Sequence, residues 1–277
     1  MLARAMGDLA WLLRIRRKVA LDNLRHAFPE LPEAERRRIA RRAYRNMALA
    51  AFESLVPPAH TERRLVWDNR ELLERAAAEG RGVLIATAHF GSWELLGTAL
   101  ARQGLPLHAV VRPLRGALNE QIVRARLESG LRLIAARGAI RGMLRALSEG
   151  GVVCMLVDQV MPLHKGVFVP FFGRPASTSP GLSAAARRTG APVLVGVSIR
   201  DRDVLRIHLE GPFPVPHTDD IDADIRAHTA EITAAIEQLI RRHPEQWLWL
   251  HRRWKVRPPP ARHRLVSDLQ PEPEPEL

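Results

Sequence analysis

His89 and Glu94 stand five residues apart in "ATAHFGSWELLG" (86–97), directly after a run of small apolar residues. An imidazole and a carboxylate within reach of each other are the parts of a general base and its orienting partner. Such a pair can take a proton from a hydroxyl as it attacks a carbonyl. The spacing is wrong for one helix face, because positions i and i+5 point about 140° apart. The two side chains can meet only if the backbone turns between them. The stretch therefore predicts a strand over 83–88, a loop carrying His89 and Gly91, and a helix starting near Ser92, a residue type suited to an N-cap. Glu94 then falls in the first turn, where the helix dipole favours negative charge. The same residues also fit a blander arrangement, a surface His beside a helix-start Glu.

The elements around this pair narrow the choice. Short apolar runs at 83–88, 107–112, 152–158 and 193–200 read as buried strands. Helical segments near 92–103, 117–129, 140–149 and 180–189 alternate with them, which predicts an α/β fold with a mixed, mostly parallel central sheet flanked by helices. "VLRIHLE" (204–210) follows the polar turn "DRD" and alternates, so it is expected to pair antiparallel with the strand before it. In such sheets ligands collect at the carboxyl ends of the strands. His89, Arg112, and Asp158 with Gln159 all fall at strand ends, and three polar groups so placed favour a site over coincidence.

Two further stretches bear on that site. In "VVRPLRGALNEQIVRARLESG" (110–130), Pro113 forces an extended exit and a helix follows. With Leu118 at zero on a helical wheel, Arg126 falls near about 80°, at the border of the buried stripe, and Arg124 near about 240°, toward solvent. A buried-edge Arg needs an anion, either structural or in a ligand. "GVFVPFFGRPASTSPG" (166–181) holds too many Pro and Gly for a regular element and too many apolar residues for a solvated loop. It is expected to pack, either lining something greasy or folded onto the core. "PEQWLWLHRRWK" (244–255) places Trp247, Leu250 and Trp254 on one helix-like face, as core or interface.

Residues 1–78 read as helical, 79–257 as the α/β core, and 258–277, ending "PEPEPEL", as a disordered Pro/Glu-rich tail. The 277 residues carry 42 Lys plus Arg against 30 Asp plus Glu, a net charge of +12 that implies an anionic partner. No stretch reaches the roughly 18 apolar residues of a membrane span. The first twenty residues, with Arg14, Arg16, Arg17 and Lys18 after an apolar part, instead suit a helix lying on an anionic bilayer surface, or an ordinary amphipathic helix packed on the domain. The lone Cys154 lies in an apolar run and excludes an internal disulfide. No G-x-S-x-G elbow supports Ser92 as a nucleophile. The sequence lacks a Cys/His cluster, HExxH, P-loop, G-x-G-x-x-G and any nucleic-acid module, so no metal, nucleotide cofactor or nucleic acid is expected.

"AHFGSWE", "VVRPL", "VDQ", "VFVPFFGRPASTSPG" followed by "ARRTGAPV", and "PEQWLWLHRRWK" occur in the order found in bacterial lipid A biosynthesis acyltransferases, and "LDNLRHAFPEL" resembles that family's "NL..AFP" segment. The resemblance covers about residues 9–257. It implies the glycerol-3-phosphate acyltransferase-like fold and a His-x-x-x-x-Asp/Glu dyad at His89 and Glu94. It also implies Arg112, Arg126 and Asp158 around the acceptor and the FFG loop at Phe171, Phe172 and Gly173. Phe90, Gly91, Ser92, Pro113 and Gln159 flank these and are expected to line the same site. The implied reaction moves a fatty acyl group from an acyl carrier protein or coenzyme A thioester to a hydroxyl of an anionic glycolipid such as a lipid A precursor, without a cofactor. The implied location is the cytoplasmic face of the bacterial inner membrane, peripheral or shallowly inserted. The alternatives are another acceptor, a phosphatidylinositol mannoside or an aminolipid, or a noncatalytic basic protein that binds membranes or nucleic acid.

Overall fold

A computed structural model describes residues 2–54, 65–112, 117–202 and 204–259. Pro113 and most of the tail lie outside them. Three helices open the chain: α1 (Leu2–Leu12), α2 (Arg17–Ala27) and α3 (Glu33–Glu53). After them come β1 (Leu65–Asp68), α4 (Arg70–Ala78), β2 (Val83–Thr87), α5 (Trp93–Ala101), β3 (Leu107–Val111), α6 (Ala117–Glu128), β4 (Arg132–Ala135), α7 (Ala139–Ser148) and β5 (Val152–Leu156). A hairpin of β6 (Val167–Phe171) and β7 (Arg174–Thr178) precedes α8 (Gly181–Thr189), β8 (Val193–Asp201), β9 (Val204–Glu210) and α9 (Ile221–Arg242).

The main sheet has seven strands in the order β1-β9-β8-β2-β5-β3-β4. Among the described strands of this sheet, only β8 and β9 pair antiparallel, as the "DRD" turn predicts; the others run parallel. The apolar runs read as they do because both sheet faces are covered. On β2, Leu84 and Ala86 join one core with α2, α3, α7, α8 and α9, while Val83 and Ile85 join another with α4 and α5. The fold class expected from the sequence is the one observed.

Two expectations are corrected. Residues 65–68, inside the stretch read as helical, form the edge strand β1 beside β9. Four residues on a sheet edge carry too little periodicity to be seen. The stretch 166–181, read as irregular, contains the β6–β7 hairpin. Pro170 and Pro175 face each other in it, and a two-stranded ribbon tolerates Pro where no further strand needs the missing N–H. Its two-residue loop, Phe172 and Gly173, has φ of 49° and 72°, the left-handed pair that a tight hairpin turn requires.

Candidate active site

β2 ends at Thr87, and the chain leaves the sheet through His89, Phe90 and Gly91 before α5 begins. Both edges of this short stretch are held. Phe90 makes an antiparallel bridge to Trp247 and Gly91 a parallel bridge to Ser198. The Gly91 N–H donates to the Gln246 carbonyl (2.9 Å), and the Leu248 N–H donates to the His89 carbonyl (3.1 Å). Gly91 has φ of 55°, and a Cβ there would lie 1.7 Å from the Ser198 carbonyl oxygen. Only glycine fits. Ser92 occupies the N-cap position as expected, yet its side chain caps nothing; its hydroxyl is buried without a hydrogen-bond partner among the described residues.

His89 Nδ1 lies 2.8 Å from Asp158 Oδ1, and the His89 backbone N–H donates to Asp158 Oδ2 (2.9 Å). Trp247 Nε1 donates to the same Oδ2 (2.9 Å). On the far side of the ring, Gln159 Nε2 is 3.2 Å from His89 Nε2. A carboxylate only accepts, so Asp158 places the imidazole proton on Nδ1 and leaves the Nε2 lone pair pointing at the Gln159 amide. Burial alone would raise the Asp158 carboxyl; the His89 charge and the hydrogen bonds from His89 and Trp247 reverse this and hold it down, at about 2. Burial likewise disfavours a charged His89, but the Asp158 charge and hydrogen bond, with a smaller contribution from Glu94, outweigh it and raise the imidazole above its ordinary value.

The carboxylate hydrogen-bonded to the imidazole is thus Asp158, not Glu94. Glu94 starts α5 as expected, but Arg126 occupies its carboxylate through a two-point contact, Nε to Oε2 at 3.0 Å and Nη2 to Oε1 at 2.6 Å. Trp93 Nε1 adds a third bond to Oε1 (3.0 Å). The anion that Arg126 needs at the edge of α6 is supplied within the protein, and Arg124 is exposed, as the wheel places it. A groove of about 370 Å³, counting space open to solvent, runs past this pair between α5, α6 and the end of α3; Leu95, Thr98, Ile122 and Ala125 line it.

Arg112 follows β3 and is exposed. Phe171 and Phe172 are buried rather than presented to an open channel. They sit in an aromatic cluster with Trp247, Trp249 and Trp254, and Arg241 lies 4.6 Å over the Phe172 ring. The hairpin tip therefore folds onto the core, where Phe171 supports the Trp247 ring that holds Asp158. Gly173 is exposed at the turn. Cys154, on β5, is half-buried, and desolvation pushes its thiol up to about 12, which disfavours the thiolate. Among the described residues no group of His, Cys, Asp and Glu could hold a metal ion.

Sequence reasoning missed the contribution of segment 244–254. Apart from a 3-10 turn at Pro244–Gln246 it is not helical, so the helix-like face expected for Trp247, Leu250 and Trp254 does not form. Trp247, His251 and Arg253 reach the site from it instead. Its density of Trp, His and Arg was the available signal, but nothing in the spacing of those residues showed that they reach the turn carrying Asp158.

The model of the family described as bacterial lipid A biosynthesis acyltransferase matches residues 1–256. The lipid A biosynthesis palmitoleoyltransferase of Escherichia coli (strain K12) is 31% identical over 254 residues, 89% of this chain and 81% of the relative. The lauroyltransferase of the same organism is 30% identical over 262 residues, covering 91% and 84% of the two chains. Its myristoyltransferase is 25% identical over 250 residues, covering 88% and 76%. The chain belongs to the bacterial lipid A biosynthesis acyltransferase family and is an acyltransferase.

Proposed function

We propose that the protein transfers a fatty acyl group from an acyl thioester to a hydroxyl of a lipid A precursor, with His89 as general base and Asp158 as its orienting carboxylate. The observation that supports this reading best is the His89 ring itself, with Asp158 on Nδ1 and the Gln159 amide on Nε2. A hydroxyl that displaces the amide from Nε2 meets a lone pair of fixed direction. Nε2 takes the hydroxyl proton as the oxygen attacks the thioester carbonyl, the carbon–sulfur bond breaks, and the imidazolium returns the proton to the departing thiolate. Asp158 stabilises the imidazolium. Glu94 adds negative charge at longer range and holds Arg126. Exposed Arg112, at the end of β3, meets the anionic groups of the acceptor. No cofactor enters; the thioester of acyl carrier protein or coenzyme A is a co-substrate.

The same reading sets the protein on the cytoplasmic face of the inner membrane through α1. Its support is the outward apolar side of that helix, Leu2, Met6, Leu9 and Leu12, with Leu13 and Ile15 exposed in the turn that follows.

Purified protein, an acyl thioester and a lipid A precursor test the proposal. His89→Ala should lose activity by a factor on the order of 10²–10⁴, as for a missing general base. Incubation with donor alone should leave the intact protein mass unchanged. A fully active His89→Ala variant, or an acyl adduct on Ser92 or Cys154, would overturn direct transfer.

A further inference from the structure

The turn 158–160, which follows β5, serves both nitrogens of His89, and each of its three residues is tied to segment 244–254. Trp247 Nε1 donates to Asp158 Oδ2 (2.9 Å), Arg253 Nη1 to the Gln159 carbonyl (3.4 Å), and the Val160 N–H to His251 Nε2 (3.1 Å). The segment has little regular structure with which to fix these donors and acceptors. Its backbone is held at 246–248 by the bonds to His89 and Gly91, and on either side of these by the N-terminal helices. Asn23, on α2, donates one amide N–H to the Trp249 carbonyl (2.8 Å) and the other to the His251 carbonyl (2.7 Å). Asn46, on α3, donates to the Glu245 carbonyl (2.7 Å).

We infer that His251 and Asn23 are positioning residues for acyl transfer: His251 fixes the turn carrying Asp158 and Gln159 by accepting the Val160 N–H, and Asn23 fixes His251. This rests on reading His89 as the base.

The chemistry of each residue suits that work. Asn23 is 8% exposed and spends both amide hydrogens on carbonyls of alternate residues. Aspartate has the same shape and no donor, so it would turn two bonds into repulsions. His251 can accept only when neutral. Burial keeps it so, pulling it down to about 4; Asp158 opposes this, while His89, Arg253 and Arg16 add to it. Asp158 is 5% exposed, so little water is at hand to replace a lost anchor. A displacement of its carboxylate would act directly on the reacting ring.

The test reads His89 directly as well as through turnover. The full chain in detergent, with histidine isotopically labelled, is titrated by NMR, the His89 resonance being assigned with His89→Gln. In His251→Leu the His89 pKa should fall toward the ordinary imidazole value, and kcat/KM should drop about ten- to hundredfold with the donor KM little changed. His251→Gln, whose amide oxygen can accept the Val160 N–H, should recover part of both losses. If His251→Leu does not fold, Asn23→Ser is judged by the same two readings. An unmoved His89 pKa, or a His251→Gln variant as impaired as His251→Leu, would overturn the positioning role. A His89 pKa that falls without any loss of turnover on the high-pH plateau, where His89 is neutral in both proteins, would instead count against His89 as the base and leave the positioning geometry standing.

Discussion

Asp158 grips His89 at two points, accepting from the ring at 2.8 Å and from the backbone N–H of the same residue at 2.9 Å. The two contacts fix the ring's position and its tautomer together. Asp158→Asn keeps the shape but can present an N–H to Nδ1, which moves the ring proton to Nε2 and removes the base. A loss in kcat on the order of 10²–10⁴ is expected, with an unchanged circular dichroism spectrum. A folded variant within a few-fold of wild type would show that Asp158 does not set the tautomer.

The acid limb of the pH profile follows from the same pair. His89 is raised because the Asp158 charge and hydrogen bond outweigh burial. The base form is the neutral imidazole, so kcat/KM should rise with pH through a midpoint above the ordinary imidazole value of about 6.5. The sign for stability is opposite. A raised folded-state pKa contributes stability that is fully present below the unfolded value and lost as pH rises through the folded one. Activity should therefore climb across the window in which His89 stops stabilising the fold. A limb centred at or below about 6.5 would contradict the electrostatics drawn for this pair.

Glu94 and Arg126 should behave as one unit. Their side chains are 17% and 21% exposed, and the contact is two-pointed, so removing either partner strands the other with limited access to water. In a double-mutant cycle of Glu94→Gln and Arg126→Gln, followed by urea unfolding, the coupling energy should be about 1–3 kcal/mol. Additive costs would mean that the pair is only adjacent.

The strands were legible because a sheet covered on both faces writes itself as apolar runs, as β2 and β8 show. The nearness of His89 to Asp158 was legible for a related reason: the neighbouring parallel strands β2 and β5 bring their carboxyl ends to one edge. Which carboxylate holds the imidazole was not legible. That depends on the Asp158 backbone leaving β5 toward His89, and on Arg126 reaching Glu94 from α6, two facts of tertiary geometry separated by 69 and 32 residues in sequence. The β6–β7 hairpin was hidden by its prolines, and segment 244–254 by having no periodicity to read.

The last prediction concerns α1, whose amphipathic pattern is turned inside out for a helix packed on a protein. Its small residues face inward: Ala3 and Gly7 are buried, and a Cβ on Gly7 would lie 2.6 Å from the Tyr44 carbonyl oxygen of α3. Asp8 on that side is tied to Arg41 and Arg45. The large apolar residues face outward, with Leu2 69%, Met6 57%, Leu9 54% and Leu12 70% exposed, and Leu13 and Ile15 are exposed in the turn that follows. Leaving these in water forgoes about 25 cal/mol for each Å² that a bilayer would cover. Exposed Arg4, Arg14, Arg16 and Lys18 lie among or just after them, and each basic residue near an anionic surface adds about 1 kcal/mol. Among the described residues no helix is long and apolar enough to cross a membrane. The protein should sediment with vesicles containing anionic lipid, bind neutral phosphatidylcholine vesicles more weakly, and lose part of its binding as salt rises. Leu9→Glu with Leu13→Glu should release it while leaving turnover of a water-soluble thioester unchanged. Equal binding to neutral and anionic vesicles, or retention of the double variant, would show that α1 is not what holds the protein to the bilayer.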